Sequence, residues 1–96
     1  MTPLKIAAPT WTFLTNHTHI LVALSRQPDL RVRDLAEEVG ITQRAVQRIL
    51  AELIDDGVLK AEKHGRRNQY RIDHRKKLRH PLEGKRTVGE LLHVLT

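Results

Sequence analysis

The sequence has no cysteine and no long apolar run, and each absence removes a class of protein. Without cysteine, neither a disulfide framework nor a thiolate zinc site can form. No apolar stretch approaches the roughly 20 residues that a membrane-spanning helix needs. The N-terminus also lacks the charged start and apolar middle of a signal peptide. We therefore expect a cytoplasmic protein without a membrane segment.

Residue patterns typical of enzymes and metal sites are missing as well. Ser25 is the only serine and has no evident base, and no glycine-rich phosphate loop occurs. His17 and His19 are two residues apart in a predicted helix, which places them on different faces, and the other histidines are scattered. We predict no enzyme activity, no cofactor and no metal site.

Positive charge is what the chain has in excess, and it lies in one block. The formal net charge is +6; residues 1–41 and 81–96 are each balanced, so the whole excess falls in residues 42–80. A basic surface that serves only solubility would tend to be spread along the chain. The concentration favours a polyanion as partner, with a membrane surface or an acidic protein as alternatives.

The N-terminal part of the chain predicts an arm followed by a helix. Residues 1–14 contain two prolines and no helical period, so we expect an extended arm that ends in an apolar patch: Trp11, Phe13 and Leu14. A helix then runs to about Arg26, with Thr15 or Asn16 as its N-cap and Pro28 as its stop. Its buried stripe is predicted to be Ile20, Leu21, Ala23 and Leu24.

The central part predicts two helices joined by a tight turn. Residues 30–32 suggest a short strand, and residues 34–39 a short helix that Gly40 ends in the left-handed conformation. Thr42 is expected to cap a longer helix over residues 43–56. The core-facing stripe of that helix would be Val46, Ile49, Leu50, Leu53 and Ile54. A three-residue connection with glycine is typical of a helix-turn-helix.

The C-terminal part predicts a hairpin, a connector and a last helix. Residues 58–63 and 68–72 suggest two strands with a tip over residues 64–67, and they would face the helices through Leu59, Ala61, Tyr70 and Ile72. Thr87 and Glu90 match a capping box at the start of the last helix. We therefore divide the chain into an arm (1–14), a central domain (15–73), a basic connector (74–86) and a C-terminal helix (87–96).

The stretch LRVRDLAEEVGITQRAVQRILAELIDDGVLKAEKHGRRNQYRI resembles the DNA-binding core of bacterial and archaeal MarR-like and ArsR-like regulators, over about residues 15–73. The resemblance implies a winged helix-turn-helix, mainly α with a small β-hairpin wing. In that family the third helix enters the major groove and the wing lies along the backbone or the minor groove. At matching positions, the base-reading residues would be Gln43, Arg44, Gln47 and Arg48. Contacts to the DNA backbone would come from Thr42, Lys60, Lys63, Arg66, Arg67, Asn68 and Arg71.

The chemistry of these side chains suits that role independently of the family. Arginine donates two hydrogen bonds to guanine, and glutamine pairs with adenine. Thr42, at the positive end of its helix, would present its hydroxyl to a phosphate. The alternatives are that the helix face is simply solvated and that the wing cations protect an edge strand from aggregation. Acidic residues occur only in the C-terminal half of the helix, which favours the DNA-binding interpretation.

We therefore predict a sequence-specific, DNA-binding transcriptional regulator, a homodimer that binds double-stranded DNA in the cytoplasm or nucleoid. Candidate dimer contacts are Trp11, Phe13, Leu14, Leu91, Leu92 and Leu95, with packing inside one chain as the alternative. The chain is shorter than typical MarR-like repressors, which leaves little room for a small-molecule effector. The Cys-based sensor motif of metal-responsive ArsR-like repressors is absent. A winged-helix protein-interaction module and a nonspecific nucleoid protein are the alternative functions.

Overall fold

A computed structural model describes residues 9–96 of the chain. Its elements are α1 (Asn16–Arg26), α2 (Val32–Val39), α3 (Gln43–Asp55), β1 (Leu59–His64), β2 (Arg67–Ile72) and α4 (Val88–Leu95). The two strands form an antiparallel hairpin, so the structure has the predicted winged-helix order. Residues 1–8 of the expected arm lie outside the described residues, and residues 9–14 contain no helix or strand.

The apolar stripes of the first three helices meet in one core. The most deeply buried large side chains are Ile20, Leu24, Leu35, Val46 and Ile49. The predicted stripe of α1 is confirmed, and that of α3 is confirmed at four of its five positions. Ile54 is the exception, with 41% of its side chain exposed. It lies roughly 80° around the helix from Val46, at the edge of the stripe.

The short strand predicted for residues 30–32 is wrong. Val32 is already the first residue of α2, and Arg31 precedes it in extended backbone as the N-cap. The Asp34 carboxylate accepts a hydrogen bond from the Arg31 N–H at 3.3 Å. A carboxylate at this position satisfies a backbone donor at the start of a helix, and α2 therefore begins earlier than the sequence pattern indicated.

The hairpin turns tightly at its tip. His64 pairs with Arg67, so the loop consists of Gly65 and Arg66 alone and is shorter than predicted. Gly65 has a φ of 67°, whereas Arg66 does not have a positive φ. This combination is typical of a type II′ turn, in which glycine occupies the first loop position. Arg66 thus occupies the extreme end of the wing.

One face of the hairpin packs on the helices only near its base. Leu59 and Tyr70 are buried and Ile72 is half-buried, but Ala61 is exposed, so its predicted contact with the helices is wrong. Ala61 pairs with Tyr70 across the two strands, so at this level of the hairpin the β2 side chain is buried and the β1 side chain is not. The Tyr70 N–H donates to the carbonyl of Pro28 at 2.9 Å and ties the wing to the α1–α2 loop.

The basic connector is fixed by backbone hydrogen bonds at both ends. The Asp73 N–H donates to the Val58 carbonyl at 2.8 Å, and the Val88 N–H donates to the Lys76 carbonyl at 2.8 Å. Between them, Leu78 is half-buried against the core. These contacts hold α4 on the domain, where Val88 and Leu92 are buried. No helix of residues 9–96 is both long and apolar enough to cross a membrane.

The capping box at the start of α4 predicts a measurable contribution to stability. Thr87 Oγ1 accepts from the Glu90 N–H at 3.1 Å, and Glu90 Oε1 accepts from the Thr87 N–H at 3.0 Å. We expect Thr87→Ala to lower the free energy of unfolding by about 1 kcal/mol, because one helix donor loses its partner. Thr87→Ser keeps the hydroxyl, so its free energy of unfolding, measured by urea denaturation, should stay close to that of the parent. An alanine variant as stable as the serine variant would contradict this role.

Candidate nucleic-acid interface

The first two turns of α3 carry the four candidate base-reading residues. Gln43, Arg44, Gln47 and Arg48 are all exposed. With 3.6 residues per turn, the two arginines lie opposite the buried stripe, and the two glutamines lie together on one flank. The structure therefore brings the four residues to one continuous surface of the helix, close to its N-terminus.

Thr42 caps α3, and the capping hydrogen bond determines which hydrogen bonds its hydroxyl can still form. Its Oγ1 accepts a hydrogen bond from the Ala45 N–H at 3.0 Å. A hydroxyl has one donor as well as two acceptor lone pairs, so the O–H hydrogen stays available while the oxygen caps the helix. The predicted contact of Thr42 with a phosphate is compatible with its capping role.

Arg48 differs from Arg44 because it already has a carboxylate partner. Arg48 Nη1 lies 3.3 Å from Glu52 Oε1, one turn further along α3. The same oxygen accepts a hydrogen bond from His17 Nε2 of α1 at 2.8 Å. Within residues 9–96, no carboxylate lies within 4.0 Å of the Arg44 guanidinium. Arg44 is thus the arginine of this surface without a competing ion pair.

The contact between His17 and Glu52 was not foreseen from the sequence. The two residues are 35 positions apart and belong to different helices. The hydrogen bond from His17, followed by the charges of Arg48 and His17, lowers the pKa of Glu52 below its ordinary value. Only the packing of α1 beside α3 brings the pair together, and neither helix alone carries a pattern that predicts it.

The basic residues predicted for the wing fall into two groups. Arg66 is at the tip, next to the exposed Lys63 and Asn68. Lys60 and Arg71 instead face each other as a cross-strand pair near the base. The wing therefore presents two separate concentrations of positive charge.

Arg67 has a structural partner in the α1–α2 loop. Its Nη2 donates to the carbonyl of Asp29 at 2.7 Å and lies 3.9 Å from the Asp29 carboxylate. Arg67 is also the first residue of β2 rather than part of the loop. Its guanidinium thus holds the wing to the helices. No local pattern predicts this contact, because the partners are 38 residues apart.

A cleft of about 580 Å³ is lined by residues of α1, the C-terminal end of α3, the connector and the start of α4. Its lining mixes carboxylates with basic and apolar side chains, among them His17, Glu52, Asp56, Lys77, Leu78 and Leu91. Small-molecule sites in proteins usually measure about 300–1,000 Å³. The volume of this cleft lies within that range, and the absence of a small-molecule effector stays a prediction.

The apolar residues near the two termini do not form one surface. Trp11 and Phe13 are 67% and 92% exposed, and their rings meet edge to face with centroids 4.9 Å apart. Leu14 and Leu95 are half-buried and line a common groove. Leu92 is buried in the core of its own chain, so it is unavailable to a partner.

Metal-ligating side chains do not converge in the part of the chain that the structure describes. Across residues 9–96, no group of three His, Asp or Glu side chains is close enough to hold a metal ion. The chain also has no cysteine to complete a smaller group.

Comparisons with known proteins agree with the winged-helix fold. The family model described as MarR family matches residues 12–67. The chain is similar to the zinc-dependent MarR family transcriptional regulator AdcR in its Zn(II)-bound state, with 21% identity and a TM-score of 0.59. That likeness covers 95% of this chain but only 57% of AdcR, and it confirms the winged-helix fold.

A second solved structure is matched over more of its length. It is AntR, an antimony-specific transcriptional repressor, with 25% identity and a TM-score of 0.54. The likeness covers 98% of this chain and 90% of that one. Comparison with curated proteins gave no match. Of the two families that the sequence resembles, the matching family model is that of MarR.

The hydrogen bond between His17 and Glu52 predicts a pH-dependent contribution to folding. Because the pKa of Glu52 is lowered from its ordinary 4.5, the contribution is fully present above about pH 4.5 and is lost as the pH falls through the folded-state pKa. We expect Glu52→Gln to lower the free energy of unfolding at neutral pH, by a small amount because both side chains are partly exposed. The difference from the parent should shrink in strongly acidic urea titrations.

Glu37→Gln is the matched control for this experiment. Glu37 is exposed on α2 and has no ion pair within residues 9–96. A Glu52→Gln effect that is the same at neutral and acidic pH, or no larger than that of Glu37→Gln, would contradict the assignment.

Proposed function

Because the chain belongs to the MarR family, we propose that it is a sequence-specific transcriptional regulator that binds double-stranded DNA as a homodimer. The observation that carries the proposal is that the first two turns of α3 expose polar and basic side chains and contain no acidic residue. The same domain also has a basic wing. Family membership supports a regulator rather than an enzyme. The fold of this family places such a helix in the major groove.

Base reading is assigned to the outer surface at the start of α3. Arg44 has no carboxylate partner within residues 9–96, so its guanidinium can donate both of its bonds to one guanine. Gln47, one turn away from Gln43 on the same flank, matches the donor and acceptor pattern of adenine. The acidic residues Glu52, Asp55 and Asp56 begin about 14 Å along the helix from Gln43, away from the proposed groove contact.

We assign Arg48 a DNA contact that replaces its ion pair with Glu52. Its side chain is 63% exposed, and its ion pair spans one exposed helical turn. Exposed pairs of this kind stabilise a helix only weakly, so a DNA contact outweighs the loss. Arg48 then binds at the edge of the footprint, beside the bases that Arg44 reads.

The wing tip is assigned to the DNA backbone. Lys63, Arg66 and Asn68 are exposed around a loop of only two residues, a shape that suits a narrow groove. Contacts to phosphate give affinity at every sequence and set the register of the protein on the duplex. Arg67 supports them indirectly, because it fixes the wing to Asp29.

We assign the dimer interface to the exposed aromatic pair, Trp11 and Phe13. MarR-family regulators typically act as dimers, and Trp11 with Phe13 is the most exposed aromatic surface of residues 9–96. Aromatic side chains are frequent at the centres of protein interfaces. A two-fold dimer would match an operator with two half-sites, spaced by about one helical turn of DNA or a multiple of it.

The metals of the two similar structures are not transferred to this chain. Zinc and antimony belong to the printed descriptions of those regulators. This chain contains no cysteine, and residues 9–96 bring no three His, Asp or Glu side chains together. The donor set of the chain therefore does not fit either metal.

The roles assigned to α3 and to the wing tip predict different effects of substitution on DNA binding. On a preferred duplex selected from genomic fragments, Arg44→Ala or Gln47→Ala should cost about 1–3 kcal/mol of binding free energy and relax the base preference. Arg66→Ala should weaken all duplexes alike and reduce the slope of log K against log salt by about 1. Fluorescence anisotropy over a series of salt concentrations measures both quantities.

Arg26→Ala is the control, because it removes one positive charge from the exposed C-terminal end of α1. It should change neither the base preference nor the salt slope by more than a fraction of these amounts. Equal losses on every duplex for all three test variants would overturn the assigned roles. DNA binding no stronger than that of an unrelated basic protein would instead favour a protein-interaction module.

The proposed interface predicts that the aromatic pair controls oligomeric state. We expect Trp11→Ala with Phe13→Ala to raise the dimer dissociation constant at least about tenfold, since buried aromatic residues dominate interface energies. Leu82→Ala is the matched control, because Leu82 is 91% exposed and apolar but belongs to the connector. Sedimentation velocity over a range of concentrations measures the constant. An unchanged dimer, or a monomeric parent at every concentration, would contradict the proposal.

A further inference from the structure

A single carboxylate oxygen joins α1 to the proposed DNA-binding surface of α3. Glu52 Oε1 accepts a hydrogen bond from His17 Nε2 at 2.8 Å and another from Arg48 Nη1 at 3.3 Å. The two donors therefore compete for one atom, and the shorter of the two bonds belongs to His17. We call His17, Glu52 and Arg48 the α1–α3 cluster.

His17 is the member of the α1–α3 cluster whose charge can change near neutral pH. Histidine ordinarily titrates with a pKa of about 6.5, whereas arginine keeps its charge. The hydrogen bond from His17 is the largest cause that lowers the pKa of Glu52 below 4.5, so Glu52 stays ionised while histidine titrates. Neutral His17 carries its hydrogen on Nε2 to donate to Glu52, and an added proton therefore goes to Nδ1. The His17 side chain is 39% exposed, so water can deliver that proton.

Protonation of His17 changes the competition for Glu52 in two ways. A hydrogen bond from an imidazolium to a carboxylate is charge-assisted and stronger than one from a neutral imidazole. The imidazolium also repels the Arg48 guanidinium, because both groups approach the same oxygen. Both effects weaken the ion pair of Arg48 with Glu52, which is exposed and therefore weak already. Arg48 can then leave Glu52.

The other charged groups around His17 do not take part in this competition. They line the same cleft, with Asp55 and Asp56 on α3 and Lys77 and Arg79 on the connector, while the lining from α4 is Val88 and Leu91. Arg79 lies 3.8 Å from Asp56, and its charge is the smallest of the causes that act on the pKa of Glu52. Within residues 9–96, the basic side chains within 4.0 Å of the Glu52 carboxylate are His17 and Arg48 alone.

We propose that His17 is a positioning residue for Arg48 and that its protonation releases Arg48 from Glu52 to bind DNA. The DNA contact of Arg48 rests on the proposed function, whereas the competition for Glu52 does not. Protonated His17 also balances the charge of Glu52, the acidic residue of α3 nearest to the base-reading residues. Both effects act in the same direction, so the protein binds DNA more tightly as the pH falls through the titration of His17.

The first test measures the association constant for the preferred duplex by fluorescence anisotropy, at about pH 7.5 and about pH 5.5 and at one salt concentration. Every histidine of the chain adds positive charge at the lower pH, so the quantity compared among variants is the ratio of the two constants. We expect the ratio to be about twofold smaller in His17→Gln than in the parent, because the ion pair that Arg48 gives up is weak. A His17→Gln ratio equal to that of the parent would overturn the proposal.

His19→Gln is the matched control for this measurement. His19 is half-buried on the same helix as His17, but its ring contacts the Asn16 side-chain oxygen at 3.0 Å rather than a carboxylate. The ratio of association constants in His19→Gln should stay close to that of the parent. An equal reduction in His17→Gln and His19→Gln would show a general effect of histidine charge and would contradict the role of His17.

Two further variants test whether the effect passes through Glu52 and Arg48. Glu52→Gln should bind DNA about twofold more tightly than the parent at about pH 7.5 and should show the small pH ratio of His17→Gln. Asp55→Asn is its control, because it removes an exposed carboxylate from the same end of α3 that has no ion pair within residues 9–96. It should keep the pH ratio of the parent. An effect of His17→Gln on that ratio that persists in Arg48→Gln would contradict the proposal.

Thermodynamic linkage gives a second measurement on the same complex. If protonation of His17 favours DNA binding, then DNA binding must favour protonation of His17 by the same factor. Calorimetric titrations in buffers with different ionisation enthalpies count the protons taken up. Near about pH 6.5, the parent should take up more protons on binding DNA than His17→Gln does. Equal proton uptake by the two proteins would overturn the proposal.

The competition for Glu52 can also be measured without DNA. Nitrogen relaxation of the Arg48 Nε–H group, observed by NMR, reports how ordered this side chain is. We expect its order to fall between about pH 7 and about pH 5.5 in the parent, but not in His17→Gln. Unchanged order in the parent would overturn the proposal, whatever the chain does with DNA.

Failure of this inference and failure of the proposed function give different results. A parent that prefers no sequence, but whose Arg48 is released and whose affinity for an unrelated duplex follows His17, would refute only the sequence-specific function. A parent that loses its base preference in Arg44→Ala, but whose Arg48 stays ordered at both pH values, would refute only this inference. Release of Arg48 without any change in DNA affinity would also overturn it. Circular dichroism at both pH values shows whether the variants fold like the parent.

Discussion

The arrangement of the whole domain depends on the burial of one side of α3. Val46 and Ile49 are almost completely inaccessible, and Leu50 and Leu53 are buried beside them. Burial of an aliphatic side chain is worth about 1.5–3 kcal/mol, so four of them resist any rotation of the helix. A rotation by one residue, about 100°, would carry polar side chains toward the core. The outward direction of Arg44 is thus a consequence of the core.

The position of the wing depends on two polar contacts with the α1–α2 loop. The Tyr70 N–H binds the Pro28 carbonyl, and the Arg67 guanidinium binds the Asp29 carbonyl. Both contacts join the second strand to the segment that also leads into α2. Since α2 packs on α3, the wing tip and the start of α3 are held by one connected set of contacts. Two surfaces that are far apart in sequence can therefore contact the same duplex.

The sequence predicted the features that depend on neighbouring residues. The stripes of α1 and α3, the cap at Thr42 and the capping box at Thr87 all follow from residues within two turns of each other. The strand predicted for residues 30–32 is a local feature that was wrong, because α2 already begins at Val32. The other features that were wrong or missed depend on distant partners. Ala61 fits the alternation of a buried strand, yet it is exposed while its cross-strand partner Tyr70 is buried. His17 with Glu52 and Arg67 with Asp29 meet only in the folded chain, and no local pattern reports them.

The same reasoning explains how a single block of charge can yield several surfaces. Composition showed a net charge of +6 concentrated between residues 42 and 80, which indicated one polyanion partner. Folding divides that charge between the start of α3, the wing tip and the wing base. The wing base lies about 17 Å from the Gly65-Arg66 loop along the hairpin, and the length of α3, about 18 Å, separates it from Gln43. The Debye length at physiological salt is about 8 Å, so fixed charges at these separations are largely screened from one another. Each surface then has its own local positive potential. Under the proposed function, the positions of the surfaces, rather than the net charge, would determine how much DNA the domain contacts.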